Sequence, residues 1–288
     1  MATPLRVRLL LVVVVVTAHL VGVALMAGCS RTVQGLPVTG SADSAQADGP
    51  GSARLPPGGA MQSGDCVTLA RFAVVGCSQP HELEVYRFTR LPATFPAAYP
   101  TPAGLLPKFE PQCRAGLTDY VGSRDADASR LREFVYWPSS QSWHSGERWI
   151  LCAVVEIGPD DRPMQRTGAL GGALRQGLGQ FQSCTVDPPS EGTLHVVPCL
   201  QPHRGEAVPG VLVLGAPADP PFTAEQANAV AEPRCRRSID AFLNSPGRKH
   251  GVRYSWRYPL PQSWSYGYTT VVCYAETAEP VTGSLRDH

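Results

Sequence analysis

The sequence predicts an α+β protein of two tandem modules, each a small antiparallel sheet with one packed helix and two disulfides. Eight cysteines form two sets of four, with gaps of 11, 36 and 39 residues in the first set and 15, 36 and 38 in the second. The same order of strand, helix and strand signals accompanies each set. The first set is Cys66, Cys77, Cys113 and Cys152, and the second is Cys184, Cys199, Cys235 and Cys273.

Short motifs repeat in step with the cysteines. CSQPHELEV at 77–85 corresponds to CLQPHRGEAV at 199–208, and WPSSQSW at 137–143 corresponds to YPLPQSW at 258–264. A Thr-Gly-x-Leu sequence follows the last cysteine of each set, starting at Thr167 and Thr282. From Cys77 to Cys152 the matching residues recur at an offset of 121 or 122, which indicates an internal duplication.

Valine-rich segments around the first two cysteines of each set predict a strand pair, and a third strand follows the Pro-His dipeptide. Two further strands of alternating and aromatic character close each module and are typical of a hairpin joined by the Gln-Ser-Trp loop. The five strands are predicted at 66–69, 74–76, 84–89, 133–137 and 148–155 in the first module, and at 184–186, 194–197, 206–214, 252–258 and 268–275 in the second.

One helix is predicted between the third and fourth strands of each module. In the second module Thr223 and Gln226 form a capping box ahead of a helical run to about residue 244, although Pro233 allows two shorter helices instead. The first-module helix, predicted at about 106–121, has a weaker signal because Pro107 and Pro111 interrupt it.

The N-terminus has the pattern of a secretory signal. Arg6 and Arg8 precede an apolar run, and residues 25–29, LMAGC, resemble the lipobox of bacterial lipoproteins. This predicts a signal peptide at 1–28 and a lipid such as palmitate on Cys29, which anchors the protein to the cell membrane. The alternative is an uncleaved membrane-spanning anchor. Both place the rest of the chain on the extracytoplasmic side, because the arginines keep the N-terminus inside.

Composition and spacing divide the remaining chain into four segments. Residues 29–63, rich in Gly, Ser, Ala and Pro, are predicted to be a disordered tether. The first module is predicted at 64–156, a linker with room for one short helix at 157–181, and the second module at 182–288. Without Arg6 and Arg8 the chain has 23 basic and 24 acidic residues, which gives no long-range attraction for nucleic acid.

In an exported protein, cysteines at repeated spacings indicate disulfides. Zinc binding is the rival interpretation, but the sequence has no CxxC, and ligands 11 or more residues apart are unlike common zinc modules. Pairing within each module leaves three connectivities. The favoured one closes the first strand pair and ties the helix to the last strand, which pairs Cys66 with Cys77, Cys113 with Cys152, Cys184 with Cys199 and Cys235 with Cys273.

Several motifs resemble the septum-formation domain of actinobacterial envelope proteins. The resemblance rests on Gly64-Asp65-Cys66, the 77–85 motif, Cys113 on a helix, the Pro138 to Trp143 motif and Cys152. It covers both modules, although the second has Ser183 in place of the aspartate and Ala207 in place of the valine. The resemblance implies a link to cell division but no biochemical activity.

The repeated motifs contain six candidate binding residues. His81 and Glu84 recur as His203 and Glu206, and such pairs can bind a ligand or a metal, or act as acid and base. The alternative is structural, with the imidazole satisfying backbone or carboxylate groups near the disulfide. One histidine per module is too few for zinc, so no metal is predicted. Trp143 and Trp264 are candidates for contact with a sugar or a partner, or for core packing.

The sequence lacks the GxSxG, HExxH and SxxK signatures of hydrolases and acyl enzymes. We therefore expect a noncatalytic protein without a cofactor, whose partner is an envelope or division protein and not nucleic acid. One alternative is a cell-wall hydrolase centred on Asp65, Glu84 or His81, which two close carboxylates with raised pKa in a deep cleft would favour. Another is a carrier of a small ligand between the modules.

Overall fold

The computed structural model of the chain describes residues 36–38, 60–244 and 251–287. The predicted signal peptide, Cys29 and most of the predicted tether lie outside these residues. Within the described ranges, none of the helices combines the length and hydropathy that a membrane span requires.

The elements follow one another in the same order in both modules, apart from one additional strand, β10, in the second. Strand β1 (Leu36–Val38) precedes a first module made of β2 (Cys66–Thr68), β3 (Ala73–Val75), β4 (Leu83–Arg90), α1 (Pro102–Val121), β5 (Leu131–Tyr136), α2 (Ser140–His144) and β6 (Trp149–Glu156). The second module consists of β7 (Ser183–Thr185), β8 (Val196–Pro198), β9 (His203–Ala207), β10 (Leu212–Val213), α3 (Ala224–Phe242), β11 (Val252–Pro259), α4 (Pro261–Trp264) and β12 (Thr270–Val281). Short 3₁₀ helices lie at Arg124–Ala128 and Gly179–Phe181.

The two sheets have matching strand orders, which confirms the α+β class and the two modules. The first runs β3-β2-β4-β6-β5, and the second runs β8-β7-β9-β12-β11, so every strand of the first sheet has a counterpart. The closing strands of each module, β5 with β6 and β11 with β12, pair antiparallel as the predicted hairpins. The second sheet differs from the prediction by gaining β1, which pairs parallel with β11, and β10, which pairs with β12.

Both main helices continue through their prolines. Helix α1 begins earlier than predicted, because Thr101 caps it by accepting from the Gly104 N–H at 3.2 Å. Helix α3 begins at the predicted capping box and passes Pro233 without a break, so the alternative of two shorter helices is wrong. An internal proline costs a helix about 3 kcal/mol. We attribute its tolerance to the disulfide cysteine two residues later, which holds each helix to its sheet.

Further predicted elements differ from the structure. The predicted strand at 206–214 is two strands, β9 and β10, because Pro209 and Gly210, with a φ of 99°, interrupt the pairing. The predicted Gln-Ser-Trp loops contain the short helices α2 and α4. Two described parts of the predicted tether are also ordered, namely β1 and the buried Met61. Strand β1 is ordered because it pairs with the backbone edge of β11, and Met61 because it packs on the apolar face of the first sheet.

The predicted linker at 157–181 packs against the first module. Its leucines Leu170, Leu174 and Leu178 are buried in the same apolar cluster as the α1 residues Leu105 and Leu117. Backbone hydrogen bonds add to this packing, including Arg166 with His81. The segment is therefore part of the folded body, because its leucines bury apolar area that a solvated linker would leave exposed.

The sheets are buried on both faces. In the second sheet Val271, Cys273 and Ala275 face α3, and by the two-residue alternation of a strand Val272 and Tyr274 face the other way. Those two side chains, with Ala207, complete the apolar cluster of the first module. The corresponding face of the first sheet lies instead beneath Met61 and Phe72. The outer face of the second sheet therefore joins the two modules.

Candidate functional site

All eight cysteines of the two sets are paired within their own module. The disulfides are Cys66–Cys77, Cys113–Cys152, Cys184–Cys199 and Cys235–Cys273, which are the favoured pairs. Groups of three potential ligands form where Glu84 or Glu206 lies near the first disulfide of its module. Their sulfurs are engaged in disulfide bonds, whereas a metal binds cysteine as a thiolate.

Glu84 forms hydrogen bonds with the backbone of the segment that follows the first module. Its buried carboxylate accepts from the Leu170 N–H at 2.6 Å, from the Gly171 N–H at 3.1 Å and from the Tyr120 hydroxyl. The Gly168 N–H donates to the Cys77 carbonyl at 2.6 Å. The Thr-Gly-x-Leu sequence is thus held at two points, and we call residues 167–170 and their counterparts 282–285 the latches.

The second latch repeats this arrangement. Glu206 accepts from the Leu285 N–H at 2.7 Å and from the Ser284 hydroxyl at 3.0 Å, while the Gly283 N–H donates to the Cys199 carbonyl at 2.8 Å. Burial raises the pKa of Glu206, and the Leu285 N–H opposes that rise. The two glutamates of the repeated motif therefore hold the ends of their modules.

The two histidines are fully buried beside the latches. His81 and His203 each place Nδ1 at 2.8 Å from a backbone carbonyl, that of Gln79 or Gln201. Because a carbonyl only accepts, each Nδ1 carries the proton. His81 forms an isolated backbone bridge with Arg166, just before the first latch, and His203 pairs with Val281 at the end of β12, just before the second. The structure thus places them at a strand entry.

The two tryptophans are buried as well. Trp143 Nε1 donates to the Ala97 carbonyl at 3.1 Å, and Trp264 Nε1 donates to the Ala216 carbonyl at 3.0 Å. Each therefore ties the segment before the main helix to the segment before the last strand. Neither indole is available at the surface for stacking on a sugar or a partner.

A buried ionic cluster joins the modules, and the sequence analysis did not predict it. Arg114 on α1 donates to Glu133 at 2.7 Å and to Asp127 at 2.8 Å. Its Nε reaches across to the Gly267 carbonyl at 3.1 Å, and its guanidinium carbon lies 3.8 Å from the centre of the Tyr268 ring. The cation thus binds two acids of the first module and the backbone of the second.

Polar contacts from the second module complete this intermodule cluster. The Tyr268 hydroxyl oxygen lies 2.9 Å from Glu110 Oε1 and 3.0 Å from Glu133 Oε1. The Thr270 hydroxyl donates to Asp127. Nearby, Asp125 Oδ1 accepts from the Gly210 and Val211 N–H groups at 2.8 and 2.9 Å. These contacts fix the second sheet over α1.

The acids of this cluster differ in their affinity for protons. Burial, followed by the charge of Glu133, raises the pKa of Glu110 to about 7. Burial alone would also raise the pKa of Asp127, but the Arg114 charge and the Thr270 hydroxyl lower it below its ordinary value. Arg114 therefore pairs with Asp127 and Glu133. Glu110 has no such pair within the described part of the chain, and its pKa lies near neutral pH.

One sequence signal pointed to this cluster. Glu110-Pro111 with Arg114 recurs 122 residues later as Glu232-Pro233 with Arg236, an acid and a base four residues apart on each helix. The repeat marks the motif as part of the duplicated unit. It does not reveal that only the first copy lies at an interface, since that depends on where the second sheet packs.

Comparison with known proteins places the chain in a family. A family model described as Septum formation matches residues 27–127 and 108–273. Two proteins of Mycobacterium tuberculosis, from strains CDC 1551 and H37Rv, are each 29% identical over 233 residues, covering 74% of this chain and 51% of their own length. Both are described as uncharacterized membrane proteins, and the chain spans about half their length. No solved structure matches the chain. The chain belongs to the Septum formation family.

Proposed function

We propose that the chain is a noncatalytic cell-envelope protein that binds a partner involved in septum formation or cell-wall assembly. We further propose that a lipid on Cys29 holds it on the extracytoplasmic side of the cell membrane. Family membership supports the link to the septum, and the description of the relatives as membrane proteins supports the location. Four disulfides fit an oxidising compartment outside the cytoplasm.

The observation that supports the noncatalytic proposal is that the reactive side chains of both modules make structural hydrogen bonds. His81 and Glu84, like His203 and Glu206, are buried and hydrogen-bonded within the latches and strand entries. Asp65, the remaining proposed centre of a hydrolase, accepts from the Gln62 N–H at 2.8 Å. A cell-wall substrate would have to displace these structural contacts to reach the two buried histidines and the two buried glutamates.

Two close carboxylates with raised pKa values in a deep cleft would favour the alternative of a hydrolase. Glu110 and Glu133 are such a pair in distance, because both lie near the Tyr268 hydroxyl. Each is only 5% exposed, and Tyr268 of the second module covers them. Their burial at the intermodule cluster supports a role in holding the modules together. The apolar side chains that fill the rest of that interface give no support to a ligand carrier.

The second module is the better candidate for the partner surface. Of the exposed large apolar side chains among the described residues, Val74 belongs to the first module, and Val186, Leu200, Val213 and Val230 belong to the second. Leu200, next to the disulfide at Cys199, is 83% exposed. Its counterpart in the first module is the exposed polar residue Ser78. We propose Leu200 as the anchor for a partner, because its side chain is almost wholly exposed beside the Cys184–Cys199 disulfide.

Site-specific photocrosslinking in living cells tests the proposal. A photoreactive phenylalanine analogue at Leu200 is expected to capture a defined envelope or division protein, whereas the same analogue at Ser78 gives at least tenfold less of that product. Equal capture at both positions would contradict a partner surface in the second module. Release of cell-wall fragments by the purified chain would contradict the noncatalytic assignment.

The lipid anchor has its own test. Intact mass measurement of the membrane form is expected to show Cys29 as the acylated N-terminus, and Cys29→Ala is expected to accumulate the precursor. A wild-type membrane form that retains residues 1–28 would support the uncleaved anchor and refute the lipid.

A further inference from the structure

In the intermodule cluster the Tyr268 hydroxyl lies between one carboxyl oxygen of Glu110 and one of Glu133. Two hydrogen bonds among these three oxygens require two protons. Glu110 comes from α1, Glu133 from β5, and Tyr268 from the second module, and each is no more than 8% exposed. The Tyr268 oxygen is within 3.0 Å of one carboxyl oxygen from each glutamate. A phenol has one proton and donates to one acceptor only. The second short contact therefore requires a proton on one of the two carboxyl groups.

The surrounding charges assign that proton to Glu110. Arg114 binds Glu133 directly at 2.7 Å and Asp127 at 2.8 Å, so each of these two acids has a cationic partner. Glu110 receives no such ion pair, and its Oε2, like Glu133 Oε2, is buried without a hydrogen-bond partner among the described residues. A neutral Glu110 donates to the Tyr268 oxygen, which in turn donates to Glu133. This chain of hydrogen bonds satisfies all three contacts.

Other charged groups facing the cluster do not replace the proton. From β4, Arg87 acts electrostatically on Tyr86, whose hydroxyl donates to the Cys113 carbonyl. From β5, Arg132 faces Asp127. From β12, Thr270 contributes an uncharged hydroxyl. The only cation in direct contact with these acids among the described residues is Arg114, so an ionised Glu110 would add a third carboxylate to a single guanidinium.

We propose that a proton held by Glu110 locks the second module onto the first, and that its loss loosens the contact between the modules. An ionised Glu110 is repelled by the nearby charge of Glu133, which after burial is one of the causes of its raised pKa, and this repulsion is strong in a site with little water. The repulsion acts across the Tyr268 contact, so it is relieved when the second module moves away. Each module keeps its two internal disulfides and its own sheet during this opening.

The direction of the pH dependence follows from linkage. The pKa of Glu110 is raised from 4.5 to about 7 in the closed interface, with burial as the main cause and Glu133 next. The closed form therefore binds a proton that the open form releases. Its stabilising effect is complete below about pH 4.5 and is lost as the pH rises through about 7. A shift of this size changes the ratio of closed to open forms by at most on the order of 10²-fold.

Hydrogen exchange measures the opening in the full chain purified in detergent. The Gly210 and Val211 amides report on the interface, because they donate across it to Asp125. After correction for intrinsic exchange, their protection is expected to fall at least tenfold between pH 5.5 and pH 8.5. The amides of the β5–β6 pair within the first module serve as an internal control, and their protection is expected to stay constant.

Two matched variants identify the titrating group. Glu110→Gln keeps a neutral donor at this position and is expected to abolish the pH dependence of Gly210 and Val211. Glu232→Gln alters the corresponding residue of α3, which pairs with Arg236 at the surface, and is expected to leave the wild-type pH dependence intact. Wild-type pH dependence in Glu110→Gln would overturn the proposal.

A direct titration of the wild-type chain needs no variant. The carboxyl carbon of Glu110, followed by nuclear magnetic resonance in chain labelled at glutamate, is expected to titrate near pH 7. Titration below pH 5.5 would refute the locking proton whatever the variants show.

Discussion

Helices α1 and α3 carry the same glutamate, proline and arginine motif but use it differently. In the first module Glu110 is 5% exposed and the Arg114 side chain 9%, because the second sheet covers them. In the second module the side chains of Glu232 and Arg236 are 37% and 39% exposed and pair with each other at 2.7 Å. One inherited motif has thus become an intermodule contact in one copy and a surface ion pair in the other.

The outer faces of the sheets show a complementary difference. In the first sheet this face includes the apolar residues Val85, Leu151 and Ala153 beneath Phe72. In the second sheet it includes the polar group of Ser255 and Glu276, whose side chains hydrogen-bond at 2.5 Å, beside the tyrosine that packs on the first module. The two copies have therefore diverged where they meet different neighbours, and remain alike where they form their own hairpins and disulfides.

The largest expected difference between the copies concerns the arginines. Arg114→Ala removes the cation from two buried or partly buried carboxylates, so we expect the free energy of unfolding to fall by about 3–5 kcal/mol. Arg236→Ala removes an exposed pair, and a loss below about 0.5 kcal/mol is expected. Urea unfolding of both variants measures the difference. Equal losses would show that the second module does not cover α1 in solution.

The latches are expected to give the next largest effect. Glu84→Ala leaves two backbone N–H groups and the Tyr120 hydroxyl without their acceptor, which costs about 3 kcal/mol. Glu206→Ala leaves one N–H group and one hydroxyl without their acceptor, and we expect the free energy of unfolding to fall by about 2 kcal/mol. Trypsin cleavage after the exposed Arg175 is expected to accelerate in Glu84→Ala alone. Acceleration in both variants would mean that the two latches are coupled.

The smallest expected difference in stability concerns the N-terminal caps of α1 and α3. Thr223→Ala destroys a reciprocal capping box with Gln226, at an expected cost of about 1 kcal/mol. Thr101→Ala removes a cap without a reciprocal side chain, because Gly104 occupies the third helical position, and about 0.5 kcal/mol is expected. Thermal unfolding compares the two variants. A larger loss for Thr101→Ala would indicate that α1 depends on its cap more than on its packing.

The repeated spacing was a good predictor of each module taken alone. It predicted two modules, the succession of strands and helix along each of them, and the favoured disulfide pairs, because these depend on short-range patterns that were duplicated as a unit. It did not predict the order of the strands within each sheet. It also marked His81, Glu84 and Trp143 as important without showing that their partners are backbone groups. Those partners lie in segments such as 167–171, which sequence composition assigned to a linker.

The sequence by itself determined two α+β modules, each with a helix crosslinked to its sheet, since residue periodicity and cysteine spacing are local properties. Only the tertiary structure decided what covers each face. Residues far apart in the chain, such as Glu110 and Tyr268, meet because the outer face of the second sheet buries apolar area against the first module. That packing also set the environment of Glu110, because desolvation and a neighbouring carboxylate act through space and leave no pattern in the sequence.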